Sequence, residues 1–327
     1  MIQFVTTQRF ALSAVVILSA CSGAGTAPAA DSAMAPPTTA HAGIANPAHT
    51  SHGHSWMNPA ARSGALLYIT DNGTNTVVIY SYPALKVVGT LTGFDNVQGD
   101  CVDASGNVWI DNTQASQMLE YAHGGTSPIA TLNDPGQYPV GCSVDPTSGD
   151  LAVSNFYSTS GPPGSVSIYK NATGAPATFT PPSFAVVYYL GYDKHGTLYL
   201  DGIDSGSAFL FASFNGKKFK AMTLQQPIGG PGAVQAVGNT IVVGDQTNGN
   251  NAAYAFAIKG STGKLVKTTP LTGANDIVQF NIYKNALVGG DLNFNGSTAD
   301  RFKYPAGGAP KKTVAGLNAP IGAVISP

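Results

Sequence analysis

The stretch "GDCVDASGNVWIDN" (Gly99–Asn112) returns in altered form about forty residues later as "GCSVDPTSGDLAVSN" (Gly141–Asn155). Each copy holds a short apolar run, a cluster of turn-forming residues and a second run in which apolar residues alternate. Alternation with a period of two is typical of β-strands, and clusters of Asp, Gly, Ser and Asn mark the turns between them. The stretch therefore predicts a β-hairpin that recurs along the chain.

Two markers carry this period through the rest of the sequence. The first is an Asp or Asn that ends a strand-like run, with successive copies 40 to 46 residues apart: Asp71, Asp111, Asn155, Asp201, Asp245 and Asp291. The second is an aromatic residue in the next run, 41 to 48 residues apart: Tyr80, Tyr121, Tyr169, Phe211, Phe256 and Phe302. A repeat of this length built from strands is typical of a β-propeller with one four-stranded blade per repeat.

The two ends of the repeat region complement each other. The chain finishes with a lone first strand, "PIGAVIS" (Pro320–Ser326), and the region begins with "ALLYITDN" (Ala65–Asn72), a second strand without its first. Pairing these ends would close the ring and remove its exposed edges. We therefore expect an all-β, six-bladed β-propeller over residues 63–327, closed by the N- and C-terminal strands.

The sequence from Leu66 to Asp103 resembles the YVTN and NHL-type propeller repeats, and the whole region resembles the six-bladed, TolB-like propellers. YVTN proteins often have seven blades, so a count of six departs from that pattern. Related propellers include gluconolactonase-like lactone hydrolases, which use Glu, Asn and Asp to hold a divalent cation, and virginiamycin-lyase-like enzymes, which need a His base. Here Glu120 is the only Glu and falls in a third strand, while His123 and His195 fall in turns. No catalytic residue is assigned.

The N-terminus predicts that the protein is a bacterial lipoprotein, with residues 1–20 as its signal peptide. Residues 1–20 contain the ten-residue apolar run Ala11–Ala20, too short to span a bilayer. The run ends in "LSAC" (Leu18–Cys21), which resembles a lipobox and implies a lipidated Cys21; an ordinary signal peptide with an incidental Cys is the alternative. Ser22 then implies an outer-membrane lipoprotein that faces the periplasm or the exterior. Residues 21–62, rich in Ala and Pro, predict a disordered tether.

The tether also contains "HTSHGHSW" (His49–Trp56), whose histidines could bind a transition metal but lack any fixed geometry, so an incidental polar segment is expected. The six repeat Asp and Asn residues, expected to form a ring on one face of the propeller (the Asx ring), allow two interpretations as well. Their oxygens could hold a hard cation such as Ca²⁺, or each could cap its own turn. Repetition in every blade favours the structural role, so no metal or other cofactor is assigned.

If Cys21 is lipidated, the two other cysteines of the chain are Cys101 and Cys142. They fall on the first strands of neighbouring predicted blades. A disulfide there would close a loop of about forty residues and add about 3–4 kcal/mol of stability. The two cysteines are one residue out of register, however, which turns their side chains to opposite faces unless a bulge intervenes. Both a disulfide and two free thiols therefore remain open.

Charge is unevenly distributed along the propeller region. Ser63–Tyr169 holds one base and nine acids, whereas the chain from Lys170 onward holds thirteen bases and seven acids. Lys217, Lys218 and Lys220 form a possible docking patch for an anionic surface, although solvated charge is the simpler interpretation. A net charge of −1 argues against a nucleic-acid partner.

Together these features predict a monomer that reaches the membrane only through its lipid. We expect a non-catalytic, envelope-anchored propeller that binds a protein or small ligand through one face. The alternative is a metal-dependent lactone hydrolase or lyase acting in the axial channel.

Overall fold

The computed structural model describes residues 53–247 and 251–327 of the chain. Within them, regular structure consists of β-strands and three short 3₁₀ turns: Pro59–Ala61, Thr113–Ala115 and Lys170–Ala172. No helix in this part of the chain is long and apolar enough to cross a membrane. Residues 1–20, Cys21 and the tether up to residue 52 lie outside the described residues, so the expectations for them stay predictions.

Twenty-five strands follow one another along the described residues, mostly as four-stranded antiparallel meanders. The first eight are β1 (Trp56–Met57), β2 (Leu66–Asp71), β3 (Thr76–Ser81), β4 (Lys86–Leu91), β5 (Val97–Val102), β6 (Val108–Asn112), β7 (Gln117–Tyr121) and β8 (Pro128–Asn133). The next eight are β9 (Gln137–Val144), β10 (Leu151–Ser158), β11 (Ser165–Tyr169), β12 (Ala177–Phe179), β13 (Val186–Tyr192), β14 (Leu198–Ile203), β15 (Phe209–Phe214) and β16 (Phe219–Leu224). The last nine are β17 (Pro231–Val237), β18 (Thr240–Asp245), β19 (Ala252–Lys259), β20 (Thr262–Pro270), β21 (Ile277–Tyr283), β22 (Ala286–Asp291), β23 (Ser297–Lys303), β24 (Lys312–Leu317) and β25 (Pro320–Ser326).

These strands form five sheets within residues 53–247 and 251–327. Three sheets have four strands each, β5–β8, β9–β12 and β21–β24, and one has the order β1-β4-β3-β2-β25. The fifth has eight strands, because β13–β16 and β17–β20 are joined where β16 pairs with β20. This joint is the one parallel pairing among the named strands, and it spans only Thr223↔Thr262 and Leu224↔Gly263.

The arrangement is all-β and propeller-like. The first strand of each meander packs against the first strand of the next, through β5, β9, β13, β17 and β21 to β25, and β25 packs against β5. β25 also pairs antiparallel with β2, from Leu66↔Ser326 to Asp71↔Pro320. The two ends of the described chain are therefore joined in one sheet, and the first strands surround a central axis.

The core lies between neighbouring sheets, so most inner strands are covered on both faces. All six residues of β2 are buried, and the largest fully buried side chains include Trp109, Tyr68, Tyr80 and Phe156. Burying one large apolar side chain stabilises the fold by about 1.5–3 kcal/mol. Packing between sheets, repeated around the axis, thus holds the ring together.

The folded part begins earlier than the predicted boundary after Arg62. Trp56 and Met57 form β1, which pairs with β4, and the backbone N–H of Asn58 donates to Val88 O at 2.8 Å. The composition of this segment is tether-like, but β4 is an outer strand with free backbone groups that a short extended segment can pair with. The expectation of a disordered tether is therefore wrong for these residues.

Candidate functional site

Several residues of the predicted Asx ring close loops. The carboxylate of Asp71 accepts hydrogen bonds from the backbone N–H groups of Asn318 and Ala319, at 2.9 and 2.8 Å. Two others accept in the same way from the loop that precedes the first strand of their own sheet: Asp245 from Gly229 and Gly230, and Asp291 from Asn275 and Asp276. These carboxylates are engaged in holding the backbone.

The predicted ring does not share a single register. Asp71 lies opposite Pro320, at the start of β25. The residue that lies opposite the start of β5 is Asn112 rather than Asp111, and Asn112 Oδ1 accepts from the backbone N–H of Asp95 at 2.6 Å. A shift of one residue turns a side chain to the other face of its strand, so a single six-membered ring is the wrong description.

The remaining two residues, Asn155 and Asp201, lie in different registers. Asn155 shares the register of the capping residues, and its Nδ2 donates to Ser165 Oγ and Ser167 Oγ at 3.2 and 2.9 Å. Asp201 shares the register of Asp111 and is fully buried. Its Oδ1 accepts from the backbone N–H of Tyr189 at 2.9 Å, while its Oδ2 has no partner among the described residues.

In two other sheets, the residue at the position equivalent to Asp111 forms a hydrogen bond to the neighbouring sheet. Thr70 Oγ1 donates to the carbonyl of Gln98, and Ser154 Oγ donates to the carbonyl of Tyr188 at 2.6 Å. Each carbonyl belongs to the first strand of the following sheet. A hydroxyl here therefore ties two neighbouring sheets, and Asp111 stands where such a donor is expected.

Asp111 is fully buried, and neither of its oxygens has a hydrogen-bond partner among the described residues. A Cβ added to Gly99 would lie 2.7 Å from Asp111 Oδ2, 2.6 Å from Val140 O and 2.8 Å from Gln279 Nε2, so these three groups converge on the Gly99 backbone. Burial raises the pKa of Asp111 to about 8; the Gly99 N–H lowers this pKa and the charge of Asp134 raises it further. At neutral pH the carboxyl is mostly protonated and offers an O–H, as Thr70 and Ser154 do.

A cavity of about 250 Å³ lies on the axis, walled by the first strands. Asp100 lines it, is 6% exposed, and has no partner for either oxygen among the described residues. Burial, and then the charge of Asp111, raise the pKa of Asp100 well above its usual value. Gln279 Nε2 donates to Val140 O at 3.0 Å, which connects β21 to β9.

Other polar side chains around this cavity tie neighbouring sheets together. Gln235 binds both backbone groups of Ile282, with Oε1 accepting from the N–H at 2.7 Å and Nε2 donating to the carbonyl at 3.0 Å. Ser143 Oγ accepts from the backbone N–H of Tyr192 at 3.1 Å. These groups are engaged in structure rather than presented to a ligand.

Cys101 of β5 and Cys142 of β9 form a disulfide, with sulfur atoms 2.07 Å apart and Cα atoms 5.5 Å apart. Ser143, not Cys142, holds the register of Cys101. The offset points the two side chains to opposite faces of their strands. Because neighbouring sheets pack face to face, opposite faces are the ones that meet, so the offset permits the bond instead of opposing it.

Each remaining candidate for catalysis either has a structural partner or lies in an exposed turn. Glu120 of β7 accepts from Asn107 Nδ2 at 3.0 Å, His123 Nδ1 is hydrogen-bonded to Ser326 Oγ at 2.5 Å, and His195 is exposed in a hairpin turn. Within residues 53–247 and 251–327, no three His, Cys, Asp or Glu side chains are grouped to hold a metal ion.

The three lysines of the predicted docking patch lie at the rim. Lys217 and Lys218 form the turn between β15 and β16, where their backbone N–H groups donate to Asn215 Oδ1 at 3.1 and 2.9 Å. Lys220 follows on β16, and all three are exposed. Three more exposed lysines lie on or beside β20: Lys259, Lys264 and Lys267. From residue 205 to residue 275 the only acid is Asp245.

A larger cavity of about 520 Å³ lies where β16 leaves β15. The last pair between these strands is Phe211↔Met222, and the next two residues of β16 pair with β20 instead. Phe209 and Leu210 therefore keep β14 as their ladder partner and face a gap on the other side. We call this gap the divergence cavity; its lining includes Phe184, Phe209, Phe211, Phe219, Met222 and Ile228.

Sequence reasoning missed the divergence cavity. A signal was present in "AFLFASF" (Ala208–Phe214), which carries large apolar residues at successive positions and so on both faces of an outer strand. Continuous apolar character predicts a strand covered on both sides. The parallel pairing of β16 with β20, which opens the gap, is not indicated by the sequence of either strand.

Searches with the sequence found no matching family model and no matching curated protein. Solved structures do match. A chain of the crystal structure of a nidogen/laminin complex has a TM-score of 0.64 at 12% identity, over 81% of this chain and 99% of that one. A protein of unknown function from Bacteroides caccae has a TM-score of 0.61 at 10% identity, over 80% of this chain and 99% of that one. Likeness at such low identity shows the fold alone: this chain is a β-propeller-like protein.

Proposed function

We propose that the ring has six blades, with the eight-stranded sheet counted as two. Each half of that sheet supplies its own first strand to the axis, β13 and β17, and only two residue pairs join the halves. This count agrees with the six repeats in the sequence and with the resemblance to six-bladed, TolB-like propellers, and it departs from the seven blades that YVTN proteins often have.

We propose that this propeller is carried by an outer-membrane lipoprotein, monomeric and facing the periplasm or the exterior, with Cys21 lipidated after removal of residues 1–20. The support is the lipobox-like "LSAC". Cys21→Ser should release the protein from the membrane or leave it unprocessed, as measured by membrane fractionation and N-terminal sequencing. Unchanged fractionation with a normally cleaved N-terminus would exclude the anchor.

We propose that the protein binds a protein or small ligand without catalysis. The observation that carries this proposal is the divergence cavity. Its volume of about 520 Å³ falls within the range of roughly 300–1,000 Å³ for small-molecule sites, and it lies where β16 pairs with a strand of the following meander. In contrast, Gln235, Gln279 and Ser143 of the axial cavity are occupied in ties between sheets, and Asp100 is the exception among its polar side chains.

Native mass spectrometry of the protein purified from envelope fractions tests this proposal. A co-purified small molecule or stoichiometric partner is expected, together with no turnover of lactone substrates. Lactone turnover that is lost in Asp100→Asn would contradict a purely binding role.

A metal-dependent lactone hydrolase or lyase in the axial channel is the second candidate. One observation favours it: Asp100, which lines the axial cavity, and Asp111 are both buried without hydrogen-bond partners among the described residues. Two carboxylates do not make the ligand set that the related hydrolases use, and the described residues add no third acidic, His or Cys ligand to the pair. The residues present therefore do not fit the metal, and no catalytic step is derived. Metal content of the purified full chain, measured beside lactone turnover, decides between the candidates.

A further inference from the structure

We propose that the divergence cavity binds the unbranched apolar chain of an anionic amphiphile, a class that includes long-chain carboxylates and the acyl chains of acidic lipids. This inference rests on the proposed binding function and names its ligand class. It is carried by three features of one junction: the lining of the cavity, its shape and the charge beside it.

The lining is suited to an apolar group. Phe209, Phe211 and Ile228 contribute from the side facing β17–β20, and Phe184 and Phe219 contribute from the other side. Met222 lies at the fork between them, and its unbranched, polarisable side chain adapts to ligands of different length.

The shape of the cavity follows from the strands that bound it. β15 continues beside β14 through Phe209, while β16 turns away after Met222 to pair with β20. Because these two strands separate after Phe211↔Met222, we expect the gap between them to be a slot that runs along the strands. An unbranched chain fills such a slot, whereas a compact globular group does not.

The charge beside the slot selects the head group. Lys220 lies on β16 two residues before Met222, and Lys264 lies on β20 directly after Gly263, the partner of Leu224. Both lysines are exposed, and no acid occurs on β15, β16, β19 or β20. A carboxylate or phosphate that emerges from the slot thus meets positive charge and no nearby negative charge on these strands.

A series of straight-chain carboxylates with eight to fourteen carbons tests the proposal. Calorimetry with the purified full chain should show affinity rising about fourfold for each added methylene, which corresponds to 0.8 kcal/mol per buried CH₂. The rise should level off once the chain exceeds the slot. Raising the salt concentration should weaken binding of every member by a similar factor, because the head group contributes through screened charge.

Two tryptophan variants separate the cavity from other apolar surfaces. Ala221 is exposed, lines the cavity and pairs with Ala212, so Ala221→Trp should fill the slot without removing a core side chain. Thr131 pairs with Leu119 at the same step of β7–β8, is also exposed, and lines neither the axial cavity nor the divergence cavity. Carboxylate binding should fall at least tenfold in Ala221→Trp and stay within twofold of the unaltered chain in Thr131→Trp.

Two further arms identify the source of the ligand. Competition by free fatty acid without sedimentation on phosphatidylglycerol vesicles indicates a soluble amphiphile, and sedimentation on those vesicles that Ala221→Trp abolishes indicates a membrane lipid. Either result supports the proposal.

Three results would overturn the proposal: affinity independent of chain length, equal binding by Ala221→Trp and Thr131→Trp, or tight binding of a neutral planar aromatic with no binding of carboxylates. The proposed function survives such a failure if native mass spectrometry still finds another bound ligand, so the two outcomes are distinguishable.

Discussion

Two junctions between neighbouring sheets are fastened at opposite ends. Sheets β5–β8 and β9–β12 are tied near the axis by the Cys101–Cys142 disulfide, and β8 and β12 remain separate at the rim. The β13–β16 and β17–β20 halves are tied at the rim, where β16 pairs with β20. A tie near the axis leaves every strand in its own sheet, whereas a tie at the rim draws β16 away from β15 and opens a cavity.

The chemistry of the two junctions differs in the same sense. The first buries carboxyl groups, Asp111 among them, within a tightly packed interior. The second presents apolar walls and exposed lysines to the outside. We propose that the first junction contributes mainly to stability and the second to recognition, and each part of this proposal can be broken by experiment.

Loss of the disulfide should have the largest effect. Reduction, or the pair of substitutions Cys101→Ser and Cys142→Ser, should lower the free energy of unfolding by about 3–4 kcal/mol, because the bond closes a loop of 41 residues in the unfolded chain. Denaturant unfolding with and without reductant measures this change. Thiol titration of the denatured, unreduced protein should find neither Cys101 nor Cys142 free, and two reactive thiols from this pair would refute the bond.

The Asp111 carboxyl should make the first junction sensitive to pH. Its pKa is about 8 in the folded protein and about 3.9 when unfolded, so the folded state binds more protons between these values. Its stabilising contribution is therefore complete below about pH 4 and is lost as the pH rises toward 8. From this carboxyl alone we expect the free energy of unfolding to fall by about 3–4 kcal/mol between pH 5 and pH 8.

Asp111→Ser supplies the hydroxyl that Ser154 uses at the same register and should reduce this fall. Asp204→Asn, which replaces a carboxylate in a surface turn, is the matched control. An unaltered profile in Asp111→Ser would show that this carboxyl is not the titrating group.

Breaking the rim joint should cost less than breaking the disulfide. A Cβ at Gly263 would lie 2.6 Å from Leu224 Cδ2, so Gly263→Val should separate β20 from β16 and destabilise the protein by about 1–2 kcal/mol. Thr268→Val, exposed on the same strand, is the control. The cavity depends on this joint, so carboxylate binding should weaken in Gly263→Val and not in Thr268→Val. Unchanged binding in Gly263→Val would show that the cavity does not depend on the joint.

Neutralising the rim lysines should have the smallest effect. Replacement of Lys217, Lys218 and Lys220 by Gln should weaken association with anionic vesicles about two- to fivefold at low salt, with little change at 1 M salt, where the Debye length is only about 3 Å. Folding should be unaffected, because all three side chains are exposed. Vesicle sedimentation across a salt series makes this comparison, and equal binding of both proteins at every salt concentration would remove any recognition role for the patch.

Local pattern predicted much of the scaffold. Short runs of β-branched and aromatic residues such as "VVIYS" or "VWIDN" mark strands. The Asp-containing clusters mark turns, and Asp103 indeed accepts from the backbone N–H groups of Ser105 and Asn107 at 2.8 Å. These features depend on a few consecutive residues, which is why sequence alone reveals them. The antiparallel pairing of β25 with β2 also follows from the pattern, because each end lacks the strand that the other supplies.

The faces of the strands were decided by tertiary structure. Asp111 and Asp71 end similar runs in the sequence, yet one faces the next sheet and the other caps a loop, since a one-residue shift changes the face without changing the pattern. The disulfide depends on two sheets meeting face to face, and Gln279 meets Val140 across 139 positions of sequence. The divergence cavity exists because β16 pairs with a strand from the following meander. The sequence by itself determined the repeat, its strands and its turns, since these arise between neighbours in the chain. The candidate site depends on the packing of strands that are distant in the sequence.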